Sequence, residues 1–268
     1  MNIQLSEHFN YKKLLRFTLP SIIMMIFTSI YGVVDGFFVS NFVGKTSFAA
    51  VNFIMPFLMI LGCIGFMFGT GGGALIAKTM GEGKQEKANQ LFSLFIYVSL
   101  ACSIVIMILG IAFVRPVASI LGAEDSMLDN CVLYGRVILI ALPAYILQYE
   151  FQSFFITAQK PQLGLIVTVA AGVANMIGDA LFVAILQWGL VGAAAATALS
   201  QIIGGVIPFI YFSRKNTSLL HLTKTKYDGK ALLKACTNGS SELMSNISMS
   251  IVSMLYNVQL MKYAGEDG

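Results

Sequence analysis

The chain has 268 residues, of which 57% are hydrophobic and only 11% charged, with a formal net charge of +4. A soluble domain carries roughly a quarter charged residues, so this composition cannot clothe a water-facing surface, and an ordinary soluble enzyme is excluded. The surplus positive charge lies between long apolar runs, a pattern that fits orientation in a bilayer and not nucleic-acid binding.

Met1 to Asn10 is polar, and Lys12, Lys13 and Arg16 lead directly into the first apolar run. That run is too long for a signal h-region and reads as a retained helix. Seven spanning helices are predicted, at 14–40, 49–78, 90–114, 128–156, 161–186, 190–213 and 231–263. Each approaches or exceeds the roughly 20 residues that cross a hydrocarbon core, and none shows the roughly ten-residue alternation of a barrel strand. The connections agree. Gly81 to Lys87 is a charged turn, Lys160-Pro161 breaks the chain before the fifth helix, and Gln187-Trp188-Gly189 is a tight turn with an interfacial aromatic. Arg214 to Lys230 is the longest polar stretch and the expected linker. With the N-terminus inside, 13 of the 17 basic residues fall on the inner side, and Lys45, Arg115, Arg136 and Lys262 fall outside. The positive-inside rule therefore predicts a multi-pass protein of a bacterial-type cell membrane with a cytoplasmic N-terminus.

Gly69, Gly73, Ala77 and Gly81 recur every four residues on the second helix, as do Gly192, Ala196, Ser200 and Gly204 on the sixth. Such faces let helix backbones approach closely in lipid. Gly71-Gly72-Gly73 lacks the Lys-Ser/Thr of a phosphate loop. Cys63, Cys102, Cys131 and Cys236 form no CxxC pair and read as small apolar filler, with no metal site and no disulfide framework. His8 and His221 sit in polar flanks, and no nucleophile–base set can be assembled, so no enzymatic chemistry is expected.

Four acids fall within the predicted spans: Asp35, Glu150, Asp179 and Glu242. An acid inside a bilayer costs several kcal/mol unless paired, hydrated or neutral, so each is a functional candidate. Depth separates them. Asp35 precedes the outer Lys45 by ten residues, Asp179 precedes Gln187 by eight, and Thr197 follows Trp188 by nine. At about 1.5 Å per residue all three lie in the outer half, with Asn175 one turn before Asp179 on the same face. Two carboxylates, an amide and a hydroxyl at one level are hard oxygen ligands, suited to a monovalent cation or a proton network and not to zinc. The competing reading is that Asn175 and Asp179 only bind helices together. Glu150, near the inner end of the fourth helix, is expected to snorkel or to meet Lys160. Arg136 is expected to pair with an acid or reach outward. Glu242 lies near the middle of the seventh helix without an evident partner.

Leu19-Pro20, Val34-Asp35-Gly36, Val43-Gly44, Ala49-Ala50 and Pro56 together resemble the first two helices of the MATE (multidrug and toxic compound extrusion) transporters. Asn175-Met176-Ile177-Gly178-Asp179 followed by Gly189-Leu190-Val191-Gly192-Ala193-Ala194-Ala195-Ala196-Thr197 resembles the fifth and sixth. The resemblance implies an all-α polytopic bundle of two six-helix lobes that exports organic cations or drugs against sodium or protons. It implies cation ligands at Asp35, Asn175, Asp179 and Thr197, and a further acidic position at Glu242 in some members. On this reading residues 1–213 are the N-terminal lobe, 214–230 a cytoplasmic linker, and 231–268 the first helix of an incomplete second lobe. A weak repeat points the same way: Leu14-Leu15-Arg16 and Asn41-Phe42-Val43-Gly44 echo Leu232-Leu233-Lys234 and Lys262-Tyr263-Ala264-Gly265. The missing C-terminal lobe is then the chief partner, beside the bilayer and a small-molecule substrate. The seventh helix is expected to pack poorly without it. A lipid-precursor flippase of related architecture and a seven-helix receptor or sensor are the rival readings; the first favours a basic cavity, the second an external N-terminus.

Overall fold

The computed structural model describes residues 11–265. The cytoplasmic placement of Met1 and the basic side chains of Lys12, Lys13 and Arg16 lie outside the described residues. Eight α-helices follow one another: α1 (Tyr11–Phe38), α2 (Lys45–Met67), α3 (Gly73–Gly81), α4 (Gln85–Leu121), α5 (Asp125–Thr157), α6 (Pro161–Gly178), α7 (Gly189–Ser213) and α8 (Gly229–Ala264). α2 and α3 are one rod joined by a π-helical turn, Phe68–Gly72. Two further π turns extend α1 over Val39–Val43 and α6 over Asp179–Ile185. The chain thus makes the seven rods expected, and most ends fall within a few residues of the predicted ones. Six are long and apolar enough to cross a membrane; α8, at 36 residues, is long enough but more polar.

α5 is the centre, packed by α2, α4 and α7. In lipid no hydrophobic drive separates helix from solvent, so close backbone contact must hold the rods together. Gly65 on α2 and Gly205 on α7 supply it: a Cβ on either would strike a main-chain carbonyl of α5, that of Ile146 or of Ala144. The small-residue faces read from the sequence act similarly. Gly69 lies against Glu150 and Ser153, and Gly192 against Phe182, although Gly81 faces open space. Two apolar clusters fill the bundle. One, toward the Lys45 end, holds Ile54, Tyr134, Ile138 and Leu142. The other, toward the basic end, is built on Phe92, Phe95, Phe151, Phe154 and Phe212.

The 214–228 stretch is more than a linker. It runs extended along the start of α4, with the His221 N–H donating to Asn89 Oδ1 at 3.2 Å, the Thr223 N–H to Ser93 Oγ at 2.8 Å, and Thr225 Oγ1 to the Gln90 carbonyl at 2.9 Å. Leu220 beneath it is fully buried. Asp228 then caps α8 by accepting from the Ala231 N–H.

The expectation that the seventh helix packs poorly holds for one of its faces only. Ala231, Ala235, Gly239 and Ser250 are buried along α2 and its π turn. Gly71 and Gly239 meet so closely that a Cβ on Gly71 would strike the Ala235 carbonyl and the Gly239 backbone. Farther along, Asn257 Nδ2 donates to the Asn52 carbonyl at 2.9 Å. Asn238, Ser241 and Ser248, turned away from this contact, are exposed, and so is Glu242 at its edge.

Candidate cation site

Asp35 comes from α1, Asn175 from the last turn of α6, Asp179 from the first position of the π turn that follows, and Thr197 from α7. The three helices bring them to one place: Asp179, Thr197 and Asn175 all lie within side-chain interaction range of Asp35. Gly178 makes this possible, because a Cβ there would strike Ala196 on α7. Asp179 is fully buried and Asn175 almost so, while Asp35 is half-buried. The widened turn beginning at Asp179 shifts the register of the residues after it, a distortion common at functional positions.

The hydrogen bonding is incomplete. Asp35 Oδ1, both carboxylate oxygens of Asp179, Asn175 Oδ1 and Thr197 Oγ1 are buried without a hydrogen-bond partner. Buried polar atoms in native structures nearly always have partners, and such a convergence of orphans calls for an explanation. Five acceptor-capable oxygens from three helices, three of them from two carboxylates, form a set that a monovalent cation or a shared proton would satisfy. The donor set fits the coupling ion that the sequence implied.

One contributor went unnoticed in the sequence. Tyr134 on α5 is fully buried, interacts with Asp35, Asp179 and Thr197, and its Oη also lacks a partner. Its depth was readable, since it follows the start of α5 by about as much as Thr197 follows that of α7. It was hidden among ten tyrosines, most of which read equally well as packing.

Asp35 opens onto a cavity of about 280 Å³ between α1, α2, α5 and α7. Tyr31, Tyr145, Tyr149, Met55 and Met59 give it an aromatic and flexible wall, and Gln148 and Gln201 each present an unpaired Oε1 nearby. Asp35 is the single charged residue among those lining it.

The other acids stand apart. Glu150 neither snorkels nor meets Lys160. It is fully buried and accepts a hydrogen bond from Ser99 Oγ on α4, while Lys160 Nζ donates to Thr217 Oγ1. Burial wins because α4 and the π turn of Phe68–Gly72 close over this part of α5 before it reaches the surface. Glu242 is exposed on α8 and does not join the cluster. Arg136 is exposed on α5; an acid–base pair at this end of the bundle is Arg115 with Asp129, at 3.0 Å.

Comparison with known proteins follows the same lines. The family model described as MatE matches residues 20–181, more than half of the chain. Multidrug export protein MepA of Staphylococcus haemolyticus is 28% identical over 254 residues, which are 94% of this chain and 56% of that protein. MepA of Staphylococcus aureus is 24% identical over the same shares. The chain therefore spans about half the length of the curated relatives it matches. Among solved structures, the MATE multidrug transporter DinF-BH superposes with a TM-score of 0.89 at 25% identity, over 99% of this chain and 60% of that one. An inward-facing multidrug resistance MATE family transporter gives 0.85 at 22% identity, over 95% and 58%.

Proposed function

This chain belongs to the MatE family, and from that premise we propose that it carries the cation-coupling site of a membrane transporter that exports organic cations or drugs in exchange for sodium or protons. The observation that carries the reading is the convergence of Asp35, Asn175, Asp179 and Thr197 with their oxygens unpartnered. Two carboxylates at one depth in lipid repel unless a cation or proton lies between them, so filling the site and emptying it are different electrostatic states of the lobe. Asp35 faces both the buried acid and the cavity. An organic cation in that cavity and a coupling ion beside Asp179 would compete for the same negative charge, which is the essence of exchange. The aromatic and methionine wall suits varied flat apolar cations. A flippase for anionic lipid precursors is less well supported, because the cavity lining carries an acid and no base. On the reading of charge, the end of the bundle holding Lys84, Lys160 and the 214–228 strap faces the cytoplasm.

Trp188, the chain's one tryptophan, gives a direct test. It stacks on Phe182, inside the π turn that starts at Asp179, with ring centroids 5.1 Å apart and planes 4° from parallel. Its emission should change saturably when sodium replaces choline, or across a pH titration without sodium, and the agent that works identifies the coupling ion. Asp179→Asn should abolish the change. A wild-type protein indifferent to both ions, or a variant that responds normally, would remove the site.

A further inference from the structure

The strap along α4 builds a second feature, remote from the acids. Between residues 224–230 and the start of α4 lies a groove of about 990 Å³. Lys87 stands on its α4 side, and Lys224, Lys226 and Lys230 on the strap and the first turn of α8. None of these four is in an ion pair among the described residues. The acid in the lining, Asp228, is engaged in capping α8, and nearby Glu82 is held by Lys84 at 2.7 Å. Leu91 and Leu94 lie at its base but are buried in the bundle, with 5% and 4% of their surface exposed, and Tyr227 projects from the rim with 81% of its surface exposed. The strap's hydrogen bonds to Asn89, Gln90 and Ser93 fix the backbone that carries the lysines.

This is a basic groove with an exposed aromatic ring at its rim, at the level where α4 changes from the polar Gln85-Glu86-Lys87 to Leu91-Phe92. A solvated linker needs no such fixed backbone. We propose that the groove binds the headgroup of an anionic phospholipid from the adjoining leaflet, with the lysines on the phosphate and the acyl chains leaving beside the exposed ring of Tyr227. Charge complementarity selects the anionic class, and an exposed aromatic at the level where the helix turns apolar selects a lipid over a soluble phosphate ester. Such a lipid would pin the strap, and with it the first turn of α8, to the membrane surface.

Native mass spectrometry of the chain released from nanodiscs of equal parts phosphatidylglycerol and phosphatidylcholine tests this. Phosphatidylglycerol should be retained in preference. The variant K224Q/K226Q/K230Q should lose it, by about fivefold in affinity per lysine. The variant K78Q/R214Q/K215Q removes the same charge outside the groove and should keep it; unchanged Trp188 emission would show that both variants are folded. Equal retention of both lipids, or equal loss in both variants, overturns the proposal. Displacement of the bound lipid by soluble glycerol 3-phosphate overturns the lipid as occupant in favour of a free phosphate ester.

Discussion

Two buried acidic regions invite comparison, because both leave carboxylate oxygens without partners but only one gathers them from several helices. Around Asp179, oxygens from α1, α6 and α7 converge without partners, Tyr134 adds another from α5, and a cavity opens beside them. Around Glu150, a single serine donates one hydrogen bond, and the neighbours along its own helix are the buried Leu147, Phe151 and Phe154. The first arrangement has several groups that one small cation can satisfy together. The second has one acid in a largely apolar enclosure, with Glu150 Oε1 left unpartnered. Burial of an acid alone therefore does not mark a site; convergence of unsatisfied oxygens does.

The strongest way to break this contrast is to neutralise each acid without changing its size. In cells expressing the gene, Asp35→Asn or Asp179→Asn should reduce export of a fluorescent organic cation at least about tenfold, equivalent to ~1.4 kcal/mol. Membrane insertion should be unchanged, as judged by protein in the membrane fraction. Normal export by both variants would reduce the cluster to helix packing.

A second large effect belongs to the joint between α2 and α8. Gly239→Leu must push the helices apart, since even a Cβ there would strike the Met67 carbonyl. Overpacking of this kind costs about 1–3 kcal/mol. Cysteines introduced at Asn52 and Asn257, whose residues are hydrogen-bonded across this interface, should cross-link readily in the parent and poorly in the Leu variant. Equal cross-linking would mean that the contact is not structural.

Much of this was legible in the chain, for reasons that differ by residue. The rods could be read because lipid forbids unpaired backbone and forces long apolar runs. The depth of Asp35, Asp179 and Thr197 could be read because each lies a countable distance from a turn. Three things could not. The strap of 214–228 looked like a polar linker, and its docking depends on side chains of α4 more than a hundred residues earlier. Glu150 looked close enough to the interface to escape, but α4 covers it. The close approach of Gly71 to Gly239 could not be picked out among 25 glycines, because it depends on which helices become neighbours.

Glu150→Gln sharpens the opening comparison from the other side. The amide keeps the volume and can still accept from Ser99, so stability should fall by no more than about 1 kcal/mol, and export should continue. Glu150→Ala, which removes the volume as well, should cost about 2–4 kcal/mol in the packed interior. Thermal denaturation in detergent would separate the two. If the Gln variant lost export while keeping its stability, Glu150 would belong with Asp35 and Asp179 as a working acid.

The smallest effect is expected at Glu242, and it is informative for that reason. Its position within α8 gave it the same initial claim as the other intramembrane acids. In the folded chain its side chain is exposed, and its backbone carbonyl accepts a local hydrogen bond from Asn246 Nδ2 at 2.8 Å. No helix carries it to Asp35. Coulomb interaction falls with distance, so a carboxylate outside the cluster acts weakly on the buried pair. Glu242→Gln should therefore leave the ion-dependent emission of Trp188 unchanged in both amplitude and midpoint, where Asp179→Asn abolishes it. A shifted midpoint would mean that α8 communicates with the cluster through its Gly71–Gly239 contact with α2. In that case Gly239→Leu should weaken the shift, because the contact that carries it would be loosened.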